Sequence, residues 1–208
     1  MCPYIPPRWR WTLEALLMLN VALFLAFVGP PEKTLGANIR AIYLHGAWIW
    51  AALLALTWAA VQGMRALWRH DPKALRASRL WGWVGMALWW LYLPLSLWAM
   101  QTNWNGLFLS EPRWRAGVEL AIVGALLQGA AWFLPPRATA WINVGFLALI
   151  GVRLSITERV LHPPSPMFTS RAWTIQITFF ATLLALVWMA RAWVRWLDLV
   201  LPSWPDEA

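Results

Sequence analysis

The sequence predicts an all-α integral membrane protein with six transmembrane helices and both termini in the cytoplasm. Three observations predict it. Hydrophobic residues make up 61% of the 208 residues and charged residues only 12%, where a soluble domain carries roughly a quarter charged residues. Six apolar runs approach or exceed the ~20 residues needed to cross a hydrocarbon core about 30 Å thick. The cationic residues gather at the ends of those runs, with more of them on one side than on the other.

The first run, 11–28, follows Arg8 and Arg10 and ends at Gly29-Pro30-Pro31. It is too long for a signal-peptide core and lacks a small-x-small cleavage site, so it reads as a retained helix. The second, 39–67, is long enough to tilt or protrude. The third, 80–100, contains Pro94, which removes one helical hydrogen bond and predicts a kink. The fourth, 116–134, is stopped by Pro135-Pro136. The fifth is 138–157 and the sixth 171–193. The tail, 194–208, carries tryptophans and reads as a segment lying on the membrane surface, ended by Pro202 and Pro205. With no long linker, low-complexity tract or repeat, residues 1–208 read as one six-helix membrane domain.

Orientation follows from the cations. Arg8, Arg10, Arg65, Arg69, Lys73, Arg76, Arg79, Arg137, Arg191 and Arg195 fall on one side, ten of the 17 in the chain. Lys33, Arg40, Arg113, Arg115, Arg153, Arg159 and Arg171 fall on the other. The side with the excess is expected to be the cytoplasm; the membrane expected for the reading developed below is the cytoplasmic (inner) membrane of a bacterium or archaeon. The net charge of +8 does not indicate nucleic acid, because the arginines cap apolar runs instead of lining one polar face; lipid headgroups account for them. A lone Cys2 excludes a disulfide within the chain, a CxxC redox pair and a CxxCH attachment site for covalent heme. The 20 tryptophans suit the headgroup belts of a bilayer and flat ligands.

The longest polar interruption on the outer side is 101–115, QTNWNGLFLSEPRWR. It holds Trp104, Phe108, a Glu-Pro-Arg turn, Arg113 and Arg115. His45 lies beside the outer end of the second run and His162 in an outer loop, whereas His70 lies in the cytoplasmic RHDPK segment and reads as a solvated loop residue. Taken singly, His45 suits a helix histidine bonded to a neighbouring group, and His162, between Leu161 and two prolines, suits an ordinary loop residue. Together they suit heme, because neutral imidazole is the commonest nitrogen ligand and two outer segments could pinch a porphyrin between them. The heme carboxylates need cations, and Arg40, Arg113, Arg115, Arg159 and Arg171 stand at that depth, where headgroup phosphates compete for them. Met167 is either a soft ligand or a packing residue. Glu119, Arg153 and Glu158 have the spacing to pair with one another. Three histidines on two sides of a membrane do not make a zinc site, and neither a hydrolase triad nor a phosphate-binding glycine loop is evident.

From Arg40 to Trp193 the order of landmarks resembles the heme-handling proteins of cytochrome c maturation, of the CcmC type within the CcmC/CcmF/CcsA superfamily. The family's outer loop reads approximately W-G-x-x-W-x-W-D-P-R. Here Trp104, Pro112 and Arg113 of WNGLFLSEPR match it, Phe108 and Glu111 replace Trp and Asp, and Asn105 and Ser110 depart from it. His45 in YLHGAW and His162 in VLHPP stand where the family has its two outer histidines. The resemblance implies non-covalent heme b with His45 and His162 as axial ligands. It also implies Trp104 and Phe108 against the porphyrin, and Arg113 with Arg40 or Arg115 at the propionates. It implies a carrier that presents heme for cytochrome c assembly, not an enzyme. Its partners would be ABC-type transporter subunits and a periplasmic heme chaperone. Two other readings stay open: a b-type electron-transfer subunit of a larger membrane complex, and a heme-free scaffold subunit.

Overall fold

The computed structural model describes residues 6–158 and 172–202. His162, Arg159, Met167 and Arg171 lie outside the described residues, as does Cys2. The described chain forms six helices: α1 (Pro7–Val28), α2 (Ile39–Arg69), α3 (Pro72–Trp104), α4 (Pro112–Ala130), α5 (Pro136–Ser155) and α6 (Trp173–Val200). Its one extended feature is an isolated bridge between Glu32 and Gly36 in the α1–α2 loop.

Five of these helices are long and apolar enough to cross a membrane: α1, α2, α3, α5 and α6. This is the architecture of a multi-pass membrane protein. The remaining one, α4, has only 19 residues, and Arg113, Arg115 and Glu119 occupy its first half. Those charges dilute its apolar stretch.

Proline and capping residues set the helix starts. Proline stands in the first turn of α1, α3, α4 and α5, where its missing N–H would have had no intrahelical partner. Asp71 caps α3 by accepting from the Lys73 and Ala74 backbone N–H groups at 3.0 and 3.2 Å. Helix α3 therefore begins at Pro72 and not near residue 80, and it takes in Arg76 and Arg79. It also runs through Pro94 unbroken to Trp104. At the other boundary, α6 continues to Val200, so residues 194–200 belong to a helix and not to a surface tail. Apolar runs mark the depth of hydrocarbon; caps mark where helices end.

Helix α2 sits at the centre and packs on α3, α5, α6 and α1. Its buried face is rich in small residues, among them Ala51, Ala55, Ala59 and Gly63. Small residues let helix backbones approach closely. A Cβ at Gly63 would meet the Ala140 carbonyl oxygen of α5 at 3.0 Å, and one at Gly85 of α3 would meet Leu56 of α2 at 2.8 Å. Helix α1 packs chiefly on α6, and little of it is fully buried.

A buried polar chain ties four helices together. The Gln128 amide donates to Asn143 at 2.7 Å, the Asn143 amide donates to both the Ser78 carbonyl and its hydroxyl at 2.9 Å, and the Ser78 hydroxyl donates to the Ala59 carbonyl at 2.8 Å. Hydrogen bonds across helices hold apolar faces in register where no hydrophobic force between helices operates.

Candidate functional site

The antiparallel sequence of helices brings the starts of α2 and α4 and the end of α3 to one end of the bundle. His45 is on the second turn of α2, half-buried, with its Nδ1 shielded from solvent. Its ring lies 5.1 Å from that of Tyr92 on α3, tilted by 33°. Tyr92 is 8% exposed, and Trp89 stands edge-on to it at 6.2 Å. Ser96, one turn further along α3, is also buried.

Two tryptophan N–H groups fix the scaffold around this cluster. Trp48 of α2 donates to the Leu88 carbonyl of α3 at 3.0 Å, and Trp89 of α3 donates to the Gly117 carbonyl of α4 at 3.0 Å. The rings His45 and Tyr92 therefore sit on helices already locked together. A buried indole needs a hydrogen-bond acceptor, and here that need joins α2 to α3 and α3 to α4.

The connection from α3 to α4 arrives from above. Asn105 adopts a left-handed conformation (φ 52°) at the end of α3, which asparagine tolerates better than most residues. Glu111 then turns inward. It is 3% exposed and its Oε2 accepts the Trp114 backbone N–H at 2.6 Å, capping α4. Two residues on, Arg113 is half-buried, and its Nε is shielded from solvent with no hydrogen-bond partner among the described residues. A buried guanidinium donor without an acceptor is costly and suits an anionic group arriving from outside the chain.

The structure puts His45 and Arg113 of the sequence-predicted set at the same end of the bundle, with Tyr92 in ring contact with His45 and Glu111 buried in the adjoining loop. Trp104 is half-buried at the end of α3, and Phe108 is 39% exposed in the loop; their rings do not touch each other. Arg40 and Arg115 are exposed at the same end of the bundle. Glu119 and Arg153 pair across α4 and α5, with Arg153 Nε and Nη2 at 3.0 and 2.7 Å from Glu119 Oε2. Among the described residues, no three His, Cys, Asp or Glu side chains gather as metal ligands, a grouping that an axial histidine does not require.

Sequence reasoning missed Tyr92 as a site residue because it lies inside an apolar run, WWLYLPLSLW. Its phenol and the Ser96 hydroxyl one turn later are the only polar side chains in that segment, and that spacing was the available signal.

These features define a multi-pass helical membrane protein with a buried polar cluster at one end. Comparison with known families finds no family model that matches the chain, and comparison with characterised proteins finds no significant match.

Proposed function

We propose that this protein is a six-span membrane protein, with α4 also crossing the bilayer, both termini in the cytoplasm and the His45 end outward. There it binds heme b without a covalent bond and presents it for cytochrome c assembly. The observation that carries the reading is a half-buried His45 packed on Tyr92 at the same end of the bundle as Arg113, whose shielded Nε has no hydrogen-bond partner among the described residues. In this reading the His45 imidazole supplies an axial nitrogen to the iron. Arg113 offers a cation at the same depth, suited to a propionate. Trp104 and Phe108 supply aromatic surface beside it, and the exposed Arg40 and Arg115 supply further cations at the rim.

Heme supplies the iron to be handed on; the chain's own residues hold and orient it. His162 is the second axial ligand in this proposal, on the strength of its place in the sequence. An ABC-type transporter and a periplasmic heme chaperone are the partners that the cytochrome c assembly role calls for.

The test is the absorption spectrum of the protein purified from heme-replete cells, oxidised and dithionite-reduced. A Soret band with reduced α and β bands, weakened in His45→Ala and His162→Ala, is the expected result. Transfer of the heme to an apo-acceptor then distinguishes a carrier from an electron-transfer subunit. Absence of any Soret band in wild type after gentle extraction overturns the heme reading and leaves a scaffold.

A further inference from the structure

At the opposite end of the bundle, α2, α3 and α6 enclose a cavity of about 450 Å³. Its polar lining is Gln62, Lys73, Arg76, Arg191, Arg195 and Asp198: four cations against one carboxylate. Internal pairing accounts for two of the cations. The Arg76 guanidinium meets the Asp198 carboxylate and donates to the Asp198 and Leu201 carbonyls at 2.8 and 3.0 Å. Arg191 lies 3.5 Å from Glu14 of α1. The Lys73 and Arg195 side chains have neither a hydrogen bond nor an ion pair among the described residues.

A second, independent feature points the same way. Gln62 is only 9% exposed, it lines this cavity, and its amide has no hydrogen-bond partner among the described residues. Its amide is accessible from the cavity, so it can donate to a ligand with acceptor oxygens. After internal pairing, two positive charges and one amide donor remain directed at the same space.

The depth of the lining suggests the kind of anion. Lys73 is in the first turn of α3, whereas Trp58 lies 11 residues before the end of α2, about 16 Å along the helix axis. Trp58, Leu80, Trp81 and Val194 make the walls apolar. Cations at the mouth above an apolar interior match a phosphate headgroup above its acyl chains; a small soluble phosphate would leave the apolar walls unused.

We propose that this cavity binds the phosphate of an anionic phospholipid, with Lys73 and Arg195 holding the headgroup and the Gln62 amide donating to its oxygens. The site is independent of heme binding at the other end.

The test is lipid retention by the full-length protein, solubilised with phosphatidylglycerol or phosphatidylcholine and examined by native mass spectrometry. Wild type is expected to retain phosphatidylglycerol preferentially, and Lys73→Gln and Arg195→Gln each to weaken that preference roughly fivefold. Gln62→Met, which removes no charge, should also weaken it. Arg8→Gln, a charge removed away from the cavity, should leave it unchanged. Equal retention of the two lipids by wild type overturns the proposal. So does a loss in Arg8→Gln equal to that in Arg195→Gln, which would show diffuse charge and not a built site. Displacement of phosphatidylglycerol by millimolar inorganic phosphate or glycerol phosphate assigns the cavity to a soluble ligand and overturns the lipid source.

Discussion

The rings of His45 and Tyr92 meet at 5.1 Å across the interface of α2 and α3, the most extensive helix pairing among the described residues. Neither ring is held by its own helix alone. Trp48 and Trp89 clamp the three helices that carry the cluster through buried N–H donors, so the imidazole presents a fixed face. A ligand histidine loses less entropy on binding when its rotamer is already restricted.

Tyr92 can therefore be dissected into ring and hydroxyl. Tyr92→Phe keeps the ring against His45 and removes only the hydroxyl, which should cost about 1 kcal/mol or less. Tyr92→Ala removes the ring, leaves a cavity beside His45, and should cost about 3 kcal/mol or more. Thermal unfolding in detergent checks the order. Under the proposed function, Soret absorbance per protein follows the same order, near wild type in the phenylalanine variant and reduced in the alanine variant. A phenylalanine variant as damaged as alanine would assign the effect to the hydroxyl and not to imidazole positioning.

Glu111 illustrates how a loop residue can be a structural one. Its carboxylate is buried and caps α4 through the Trp114 N–H. Glu111→Gln retains an acceptor oxygen and should be mild. Glu111→Ala removes the cap and should cost about 1 kcal/mol, seen as faster amide hydrogen exchange in the first turn of α4. Because Arg113 lies in that turn, the alanine variant should, under the proposed function, also weaken heme retention.

The apolar runs of the sequence foretold all six helices, because burial in hydrocarbon demands long uninterrupted apolar stretches. They foretold the ends poorly. Arg76 and Arg79 looked like loop cations, yet both are helical, and Arg79 is 2% exposed with its guanidinium over the Trp83 ring. Long cationic side chains lie along apolar surface and reach their partners from inside a helix, which hydropathy cannot register. The sequence could single out His45 as a candidate because it is one of only 3 histidines. It could not single out Tyr92, since its role arises from the crossing of α2 and α3, a relation between residues 47 positions apart.

The loop carboxylate Asp71 gives a pH dependence with a definite sign. The Ala74 backbone N–H, then the Lys73 N–H and Arg65, lower its pKa below the ordinary 3.8. Arg65 Nη2 stands 2.9 Å away. A carboxyl group whose folded-state pKa is lowered stabilises the fold above its unfolded value, and that contribution is lost as pH falls through the folded value. Asp71→Ala should therefore lower the unfolding temperature at neutral pH. The gap from wild type should close on acidification below 3.8. A gap constant across that range would mean that the carboxylate charge contributes nothing.

Glycine substitutions separate close helix approach from mere flexibility. A Cβ at Gly63 would stand 3.0 Å from the Ala140 carbonyl oxygen and 3.1 Å from the Ser78 hydroxyl, whereas one at Gly145 would meet nothing within 4 Å. Both glycines lie inside helices, where alanine is intrinsically preferred by about 1 kcal/mol. At Gly145 that preference acts unopposed, so Gly145→Ala should be neutral or stabilising. At Gly63 the new methyl presses on backbone of α5, which cannot rotate away, and on the hydroxyl that anchors the Ser78–Asn143–Gln128 chain. Gly63→Ala should destabilise by about 1–3 kcal/mol, measured as loss of unfolding temperature in the same detergent. Equal behaviour of the two variants would mean that α2 and α5 approach less closely than the buried small-residue face of α2 requires.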